Sequence, residues 1–295
     1  MRMNTLTTAL VSAVLALLLS TNAALAQTTR VLLIGDSWAD QQWTDGSHAR
    51  VFAANGLADF LVSGATTTLS GSTAQDWTAP ERLQQIADAL TANPDIDTVQ
   101  LTLGGNDFLD VWHTGMSPED EAALMVQIAD RLDQIASFIL AQRPDIEIVL
   151  SFYDYPNFFD TQGSLAWTFA CGPLWSDLGQ PAPTVLNIAA RAFEDVYAEL
   201  ALENPRIHHI SHFGLMQFTY GFPAQGIAPG DILPPGDLNR PSPLASMRDH
   251  GFLGRDCFHL TPDGYDILVQ NLVDNYFRQR FLPPLPDRIF DDGFE

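Results

Sequence analysis

The sequence contains no lysine. All 14 of its basic residues are arginines, and they stand against 36 aspartates and glutamates, so the formal net charge of the 295-residue chain is -22. This charge argues against nucleic acids and anionic membrane surfaces as partners, because both repel a strongly negative protein. The acidic residues are scattered and form no blocks, which is typical of a solvated, self-repelling surface.

Long apolar runs are almost absent as well. The one such run, residues 9–19, follows Arg2 and precedes a small-residue pattern that ends at Ala26. This arrangement is typical of a secretory signal peptide, and we predict that residues 1–26 are removed by cleavage after Ala26. The run is too short for a membrane span, which needs about 20 apolar residues. We therefore expect an exported protein, secreted or periplasmic, without a transmembrane segment.

Cysteine is scarce too, since only Cys171 and Cys257 occur. In an exported chain such a pair favours one disulfide bond, and the alternative is two buried thiols. The bond would tie a loop in the middle of the chain to the segment that contains His259. No feature of the sequence indicates a protein partner.

Apolar residues, by contrast, are plentiful. They make up 46% of the chain and charged residues only 17%, which is enough to build a sizeable core. Short apolar segments alternate with segments of helical period, and this alternation predicts an α/β fold whose parallel sheet is covered by helices on both faces. The five predicted strands lie at residues 30–35, within residues 57–69, and at residues 98–103, 146–152 and 207–210.

We predict one domain over residues 27–282. Residues 38–46 are polar and are interpreted as a loop. Two segments, residues 154–183 and 213–255, contain both glycine and proline without a clear period, so we interpret them as long insertions. The tail, residues 283–295, is rich in proline and then acidic, which predicts an extended or flexible end.

Polar turns follow two of the predicted strands. Ser37 comes directly after Gly35 and Asp36 at the end of the first strand, and the third strand runs into a Gly-Gly-Asn-Asp turn at residues 104–107. In an open parallel sheet these strand ends share one edge, where ligands bind. A serine at this edge can act as a nucleophile, and the alternative is a helix-capping residue.

An aspartate and a histidine precede the last predicted helix. Asp256 and His259 are three residues apart, so one short loop could present both side chains together. The carboxylate could then accept a hydrogen bond from the imidazole and stabilise the imidazolium that forms when histidine takes a proton from serine. A metal site is the alternative, with further ligands from His208, His209 and His212.

The chain resembles a known family at four short motifs. They are similar, in kind and in order, to the motifs of the SGNH hydrolases, also called the GDSL esterase/lipase family. The resemblance covers residues 30–276, and it implies a three-layer α/β/α, flavodoxin-like fold with a five-stranded parallel sheet. It also implies a serine hydrolase that acts on esters, with water as the second substrate and no cofactor or metal. The four motifs are Gly35-Asp36-Ser37, a glycine near residue 71, Gly104-Gly105-Asn106-Asp107 and Asp256-x-x-His259.

The resemblance implies a role for each matched residue. Ser37 would be the nucleophile, His259 the general base and then acid, and Asp256 the residue that orients His259. The backbone N–H groups of Ser37 and Gly71 and the side-chain amide of Asn106 would form the oxyanion hole. Preorganised donors of this kind stabilise the charge that develops on the carbonyl oxygen.

Two positions depart from the family pattern or leave a choice. Trp38 follows Ser37 where the family has leucine, and the catalytic triplet stays intact. Gly64 and Gly71 both fit the second motif. Gly71 is preferred because residues 73–77 lead directly into the next helix, and Gly64 is then a bulge or turn in the strand segment.

The substrate is indicated less directly. We favour a lipid or another small-molecule acyl ester, because aromatic residues in the two insertions could line an acyl-chain pocket. These aromatics could equally form small satellite cores. A carbohydrate acetyl esterase, and a carbohydrate-binding or adhesive module in which Ser37 is idle, are the alternatives. The aromatics in question are Tyr155, Phe158, Phe159, Trp167, Phe169, Trp175, Phe213, Phe218, Tyr220 and Phe222.

Overall fold

The computed structural model describes residues 27–282. The predicted signal peptide, residues 1–26, and the predicted flexible tail, residues 283–295, lie outside this part of the chain. Within residues 27–282 no helix has the length and apolar character needed to cross a lipid bilayer.

A five-stranded parallel sheet forms the centre of the fold, as predicted, with the strand order β2-β1-β3-β4-β5. Because all five strands run in the same direction, their carboxyl ends lie along one edge. The segments that follow β1, β3 and β4 therefore meet above that edge. The strands are β1 (Thr28–Gly35), β2 (Phe60–Ser63), β3 (Thr98–Thr102), β4 (Glu147–Ser151) and β5 (Ile207–Ile210).

Helices cover both faces of the sheet and complete three layers. Along β1, Leu32 and Ile34 pack on one face with α4, α6 and α8, and Val31 and Leu33 pack on the other with α2 and α10. Strand side chains alternate between faces, so these buried residues supply both cores. The helices are α1 (Ser37–Thr44), α2 (Ser47–Ala54), α3 (Ala74–Trp77), α4 (Pro80–Ala92), α5 (Gly105–Val111), α6 (Pro118–Gln142), α7 (Gly172–Asp177), α8 (Pro183–Glu203), α9 (Leu215–Tyr220), α10 (Pro262–Leu272) and α11 (Arg278–Phe281).

The two predicted insertions contain regular structure of their own. The first holds α7 and a π-helical turn, Trp167–Cys171, and the second holds α9 and short 3₁₀ turns. Strand β6 (Met247–Asp249) pairs antiparallel with β7 (Arg255–Leu260) in a separate two-stranded ribbon. The ribbon carries Asp256 and His259, so the prediction that these residues lie on a short loop is wrong. Strand pairing at Arg255 and Leu260, on either side of the two residues, holds this segment instead.

The prediction of a loop over residues 38–46 is also wrong, because α1 begins at Ser37. Asp36 caps this helix by accepting a hydrogen bond from the Trp38 N–H at 2.9 Å. Residues 38–46 show no apolar helical pattern, because the inner face of α1 includes the polar residue Gln42, which is buried. Its side-chain oxygen accepts a hydrogen bond from the equally buried Gln100 amide at 3.0 Å, so this oxygen has a partner inside the protein.

Candidate active site

Ser37 lies where the first strand ends and α1 begins. As the first residue of the helix, its backbone N–H has no intrahelical partner and points away from the helix end. Gly35 lets β1 lie close to β3, since a Cβ at this position would lie 2.2 Å from the Thr102 carbonyl oxygen. The close pairing of the two parallel strands at this point therefore requires glycine immediately before Asp36 and Ser37.

Ser37, His259 and Asp256 form a continuous chain of hydrogen bonds. The Ser37 Oγ lies 2.8 Å from His259 Nε2, and His259 Nδ1 lies 2.8 Å from Asp256 Oδ2. The other Asp256 oxygen accepts from the backbone N–H groups of Phe258 at 2.7 Å and His259 at 3.0 Å. Burial alone would raise the pKa of Asp256, but the hydrogen bonds and charge of His259 outweigh it and hold the pKa well below its usual range.

A disulfide bond and the ribbon hold this part of the site. Cys171, at the end of the π-helical turn, is bonded to Cys257, which stands between Asp256 and Phe258 on β7. A hydrogen bond also holds β7 at this residue, since the Asn157 N–H donates to the Cys257 carbonyl at 2.8 Å. The first insertion therefore braces the strand that presents His259.

The residues that carry the three proposed oxyanion donors, Ser37, Gly71 and Asn106, line one cavity. His259 lines the same cavity. One proton of the Asn106 side-chain amide goes to the Ser72 carbonyl at 2.8 Å, which leaves the second proton for a ligand. Within the described part of the chain the Gly71 N–H donates no hydrogen bond.

Gly71 and Gly64 occupy different surroundings. Gly71 has a φ of +79°, which favours glycine, and it lines the cavity. Gly64 instead packs under the Trp43 ring, where a Cβ would lie 3.1 Å from ring atoms. Its carbonyl accepts hydrogen bonds from the Thr67 and Thr68 N–H groups in a turn after β2. The geometry therefore favours Gly71 as the glycine near Ser37.

Asp107 clamps the turn that contains Gly71 against the turn that contains Asn106. Its buried carboxylate accepts from the backbone N–H groups of Ala74 at 2.5 Å and Gln75 at 3.2 Å, at the start of α3. Arg131 of α6 completes the set with an ion pair at 2.8 Å. Asp107 thus shapes the turn and is absent from the residues that line the cavity.

One further polar contact at this edge involves a residue outside the four motifs. Tyr153, two residues after β4, donates a hydrogen bond from its hydroxyl to Asp36 Oδ2 at 2.6 Å and accepts one from the Gly105 N–H at 3.0 Å. Burial raises the pKa of Asp36 to about 6, although the hydrogen bonds from Tyr153 and the Trp38 N–H oppose this effect. Burial also raises the pKa of Tyr153 well above its ordinary value, so the phenol stays a neutral donor.

An apolar cavity of about 310 Å³ extends from Ser37 into the protein. Its volume lies at the lower end of the range typical of small-molecule sites. Of the ten aromatics that the sequence placed in the insertions, only Phe213 lines this cavity. Phe159 and Phe169 are exposed, and Phe158 packs edge-on against Phe258, as a satellite core would. The apolar lining includes Trp38, Phe108, Leu109, Phe152, Pro156, Leu174, Leu186, Ala190, Phe193, Phe213 and Phe258.

The three histidines considered for a metal site have separate partners. His208 contacts Glu147 at 3.1 Å, and His209 faces Glu194 from the other side of the sheet at 3.4 Å. His212 is buried and lies 2.9 Å from the Ser151 hydroxyl. The structure brings none of these side chains to Asp256 as a ligand cluster. Within residues 27–282 the one group of three potential ligands contains Asp256 with the two disulfide-bonded cysteines.

Comparison with solved structures agrees with this fold. A Streptococcus pneumonia protein named for platelet activating factor is 16% identical, with 92% of this chain and 99% of that chain covered and a TM-score of 0.51. A GDSL-like lipase from Bacteroides thetaiotaomicron is 18% identical over 88% of this chain and 94% of that one, with a TM-score of 0.46. A carbohydrate esterase family 3 protein from Talaromyces cellulolyticus is 13% identical over 85% and 97%, with a TM-score of 0.47. Likenesses this distant concern the fold alone.

Comparison with protein families is more specific. No curated protein matches the chain significantly. The model of one family, however, matches residues 33–267, which include Ser37, Asn106, Asp256 and His259. The matched region extends from β1 into α10, and the expected family is confirmed. The chain is an ester hydrolase of the GDSL-like Lipase/Acylhydrolase family.

Proposed function

We propose that the protein is a serine esterase that hydrolyses carboxylic esters through an acyl-enzyme on Ser37. The observation that carries this proposal is the hydrogen-bonded chain in which His259 lies 2.8 Å from Ser37 Oγ and 2.8 Å from Asp256. Nucleophile, base and orienting acid within hydrogen-bond reach are the arrangement that acyl transfer needs.

In the proposed reaction, Ser37 Oγ attacks the ester carbonyl carbon and His259 Nε2 takes the hydroxyl proton. Asp256 keeps the other ring nitrogen protonated and stabilises the imidazolium. The negative charge on the carbonyl oxygen is stabilised by the N–H groups of Ser37 and Gly71 and the free proton of the Asn106 amide. His259 then protonates the leaving alcohol, the acyl group stays on Ser37, and a water molecule activated by His259 releases the acid.

We propose that the acyl part of the substrate is apolar. The cavity beside Ser37 is lined mainly by phenylalanine and leucine side chains, which favour burial of a hydrocarbon chain over a hydrated group. The disulfide bond between Cys171 and Cys257 fits action outside the cytoplasm, in the secreted or periplasmic space that the predicted signal peptide implies.

The test is hydrolysis of nitrophenyl esters of increasing acyl length by the mature protein and by Ser37→Ala. We expect the variant to lose at least a thousandfold in kcat, because the covalent step needs the hydroxyl. Ser70→Ala is the matched control, since Ser70 lines the same cavity but donates to Asp40 instead of contacting His259.

Three outcomes would contradict the proposal. Ser37→Ala with wild-type turnover would exclude the serine mechanism, and loss of wild-type activity in a chelator would favour a metal-dependent hydrolase. Binding of acyl sugars that survives Ser37→Ala, with no turnover of any ester by the wild type, would instead indicate a binding module.

A further inference from the structure

We propose that Tyr153 is a positioning residue for the ester hydrolysis proposed above, because its hydroxyl joins the turn that carries Ser37 to the turn that carries Asn106. The inference rests on the proposed function. It concerns a residue outside the four motifs, which lies after β4 and contacts neither His259 nor Asp256 by a hydrogen bond.

The phenol oxygen is the shared atom between the two turns. It donates to the Asp36 carboxylate at 2.6 Å and accepts from the Gly105 N–H at 3.0 Å. Asp36 immediately precedes Ser37, and Gly105 immediately precedes Asn106. One hydroxyl therefore sets the distance between the proposed nucleophile and a proposed oxyanion donor. For efficient catalysis this distance must match the productive geometry within a fraction of an ångström.

The surroundings hold the ring in this one place. A Cβ at Gly105 would lie 2.7 Å from Tyr153 Cζ and 2.8 Å from its hydroxyl, so only glycine allows the ring to approach this turn. Trp38 packs edge-on to the ring at 5.2 Å, and Phe152 packs on it at 5.3 Å. These contacts restrict the ring orientation, and the hydroxyl is preorganised for both partners.

The hydrogen bond from Tyr153 also affects the charge of Asp36. Its carboxylate is buried and receives two hydrogen bonds, from Tyr153 and from the Trp38 N–H, both of which favour the ionised form. An ionised Asp36 attracts the His259 imidazolium and so adds to the effect of Asp256 on the charged intermediate. The titratable groups that face Asp36 are Tyr153, His259, Asp107, Tyr197 and Tyr265.

The sign of the pH effect follows from these contacts. Burial raises the pKa of Asp36 to about 6, and the phenol hydrogen bond lowers it from a still higher value. Removing the phenol hydroxyl withdraws a donor from the charged form, so the pKa of Asp36 rises further. The acid limb of the kcat/KM profile then moves to higher pH, because protonated Asp36 no longer attracts the imidazolium.

The experiment compares Tyr153→Phe with Tyr155→Phe on one nitrophenyl ester across pH 4–9. Tyr155 is a matched control, since its buried hydroxyl donates to the Pro235 carbonyl at 2.9 Å and contacts neither turn. For Tyr153→Phe we expect kcat about tenfold lower, KM within twofold of wild type and the acid limb shifted to higher pH. Tyr155→Phe should leave all three unchanged.

Asp36→Asn provides a second route to the same answer. This variant has no titrating group at position 36, so adding Tyr153→Phe to it should not move the acid limb further. Tyr153→Phe with a wild-type kcat and pH profile would overturn the inference. So would an equal loss in Tyr155→Phe, or an acid-limb shift that persists in the Asp36→Asn background.

The proposed function and this inference fail in different ways. Full activity of Ser37→Ala would remove the serine mechanism whatever Tyr153 does. A dead Ser37→Ala together with an unchanged Tyr153→Phe would leave the mechanism in place and remove only the positioning role.

Discussion

The disulfide bond between Cys171 and Cys257 gives the sharpest prediction, and the change is the double substitution Cys171→Ala, Cys257→Ala. The bond closes a loop with a sequence separation of 86 residues, for which chain entropy predicts a stabilisation of ~4–5 kcal/mol. Both sulfurs are buried, so alanine is preferred to serine because it leaves no buried hydroxyl without a partner.

The double substitution should lower activity under conditions in which the central sheet stays folded. Cys171 lies in the π-helical turn and Cys257 in β7, and neither belongs to the five strands of the central sheet. We therefore expect the variant to keep the far-UV circular dichroism of the wild type at 25 °C while its kcat falls, because His259 loses a brace two residues away. Reduction of the wild type should have the same effect.

Guanidinium unfolding, followed by circular dichroism and by ester hydrolysis in parallel, checks this prediction. The midpoint for loss of activity should fall below the midpoint for loss of the sheet in the variant, whereas the two coincide more closely in the wild type. Equal midpoints and equal activity in both proteins, with both thiols of the wild type free by mass spectrometry, would refute the reasoning.

The remaining predictions concern the site and one buried histidine. Asp256→Asn should lower kcat by about 10³- to 10⁴-fold with little change in KM, because His259 loses the acceptor that fixes its tautomer, and steady-state kinetics measure both constants. Ala190→Leu, which fills part of the cavity, should lower kcat/KM for long acyl chains but not for acetate, whereas Ala192→Leu on the exposed side of α8 should change neither. Burial lowers the pKa of His48 to about 4 from its ordinary 6.5. Between these two pH values His48 is protonated in the unfolded chain and neutral in the folded one. The folded state therefore loses up to roughly 3 kcal/mol of stability as pH falls through this interval. His48→Gln should flatten that part of the stability curve in denaturant titrations at pH 4–7, and an unchanged slope would contradict the assignment.

Much of the sheet could be predicted because its strands are short, apolar and bounded by turn residues. The strands predicted at residues 98–103 and 207–210 match β3 and β5, and α6 buries apolar residues that repeat with helical period. The local pattern was sufficient to predict these elements, because the spacing of their apolar residues indicates which face is buried. The fold follows once such elements alternate.

Other parts depend on contacts between distant residues, which no local pattern displays. Residues 38–46 look like a loop because the buried side of α1 includes Gln42, and only the partner Gln100, 58 residues away, makes that burial acceptable. The sequence could not decide which aromatics line the cavity, for the same reason. Its aromatics come from α1, α5, α8, β7 and the segments that follow β4 and β5. Only the folded topology brings them together, as it does for Tyr153 and Asp36, 117 residues apart.

The order of the elements along the chain separates building the scaffold from completing the site. All five strands of the sheet end by Ile210, whereas His259 follows almost 50 residues later and meets a serine 222 positions before it. During synthesis the five strands are therefore made before His259, whereas α10, which covers one face of the sheet, is made after it. In the proposed mechanism, activity therefore comes last, once the ribbon has placed His259 beside Ser37, so incomplete chains hold the proposed nucleophile without its proposed base.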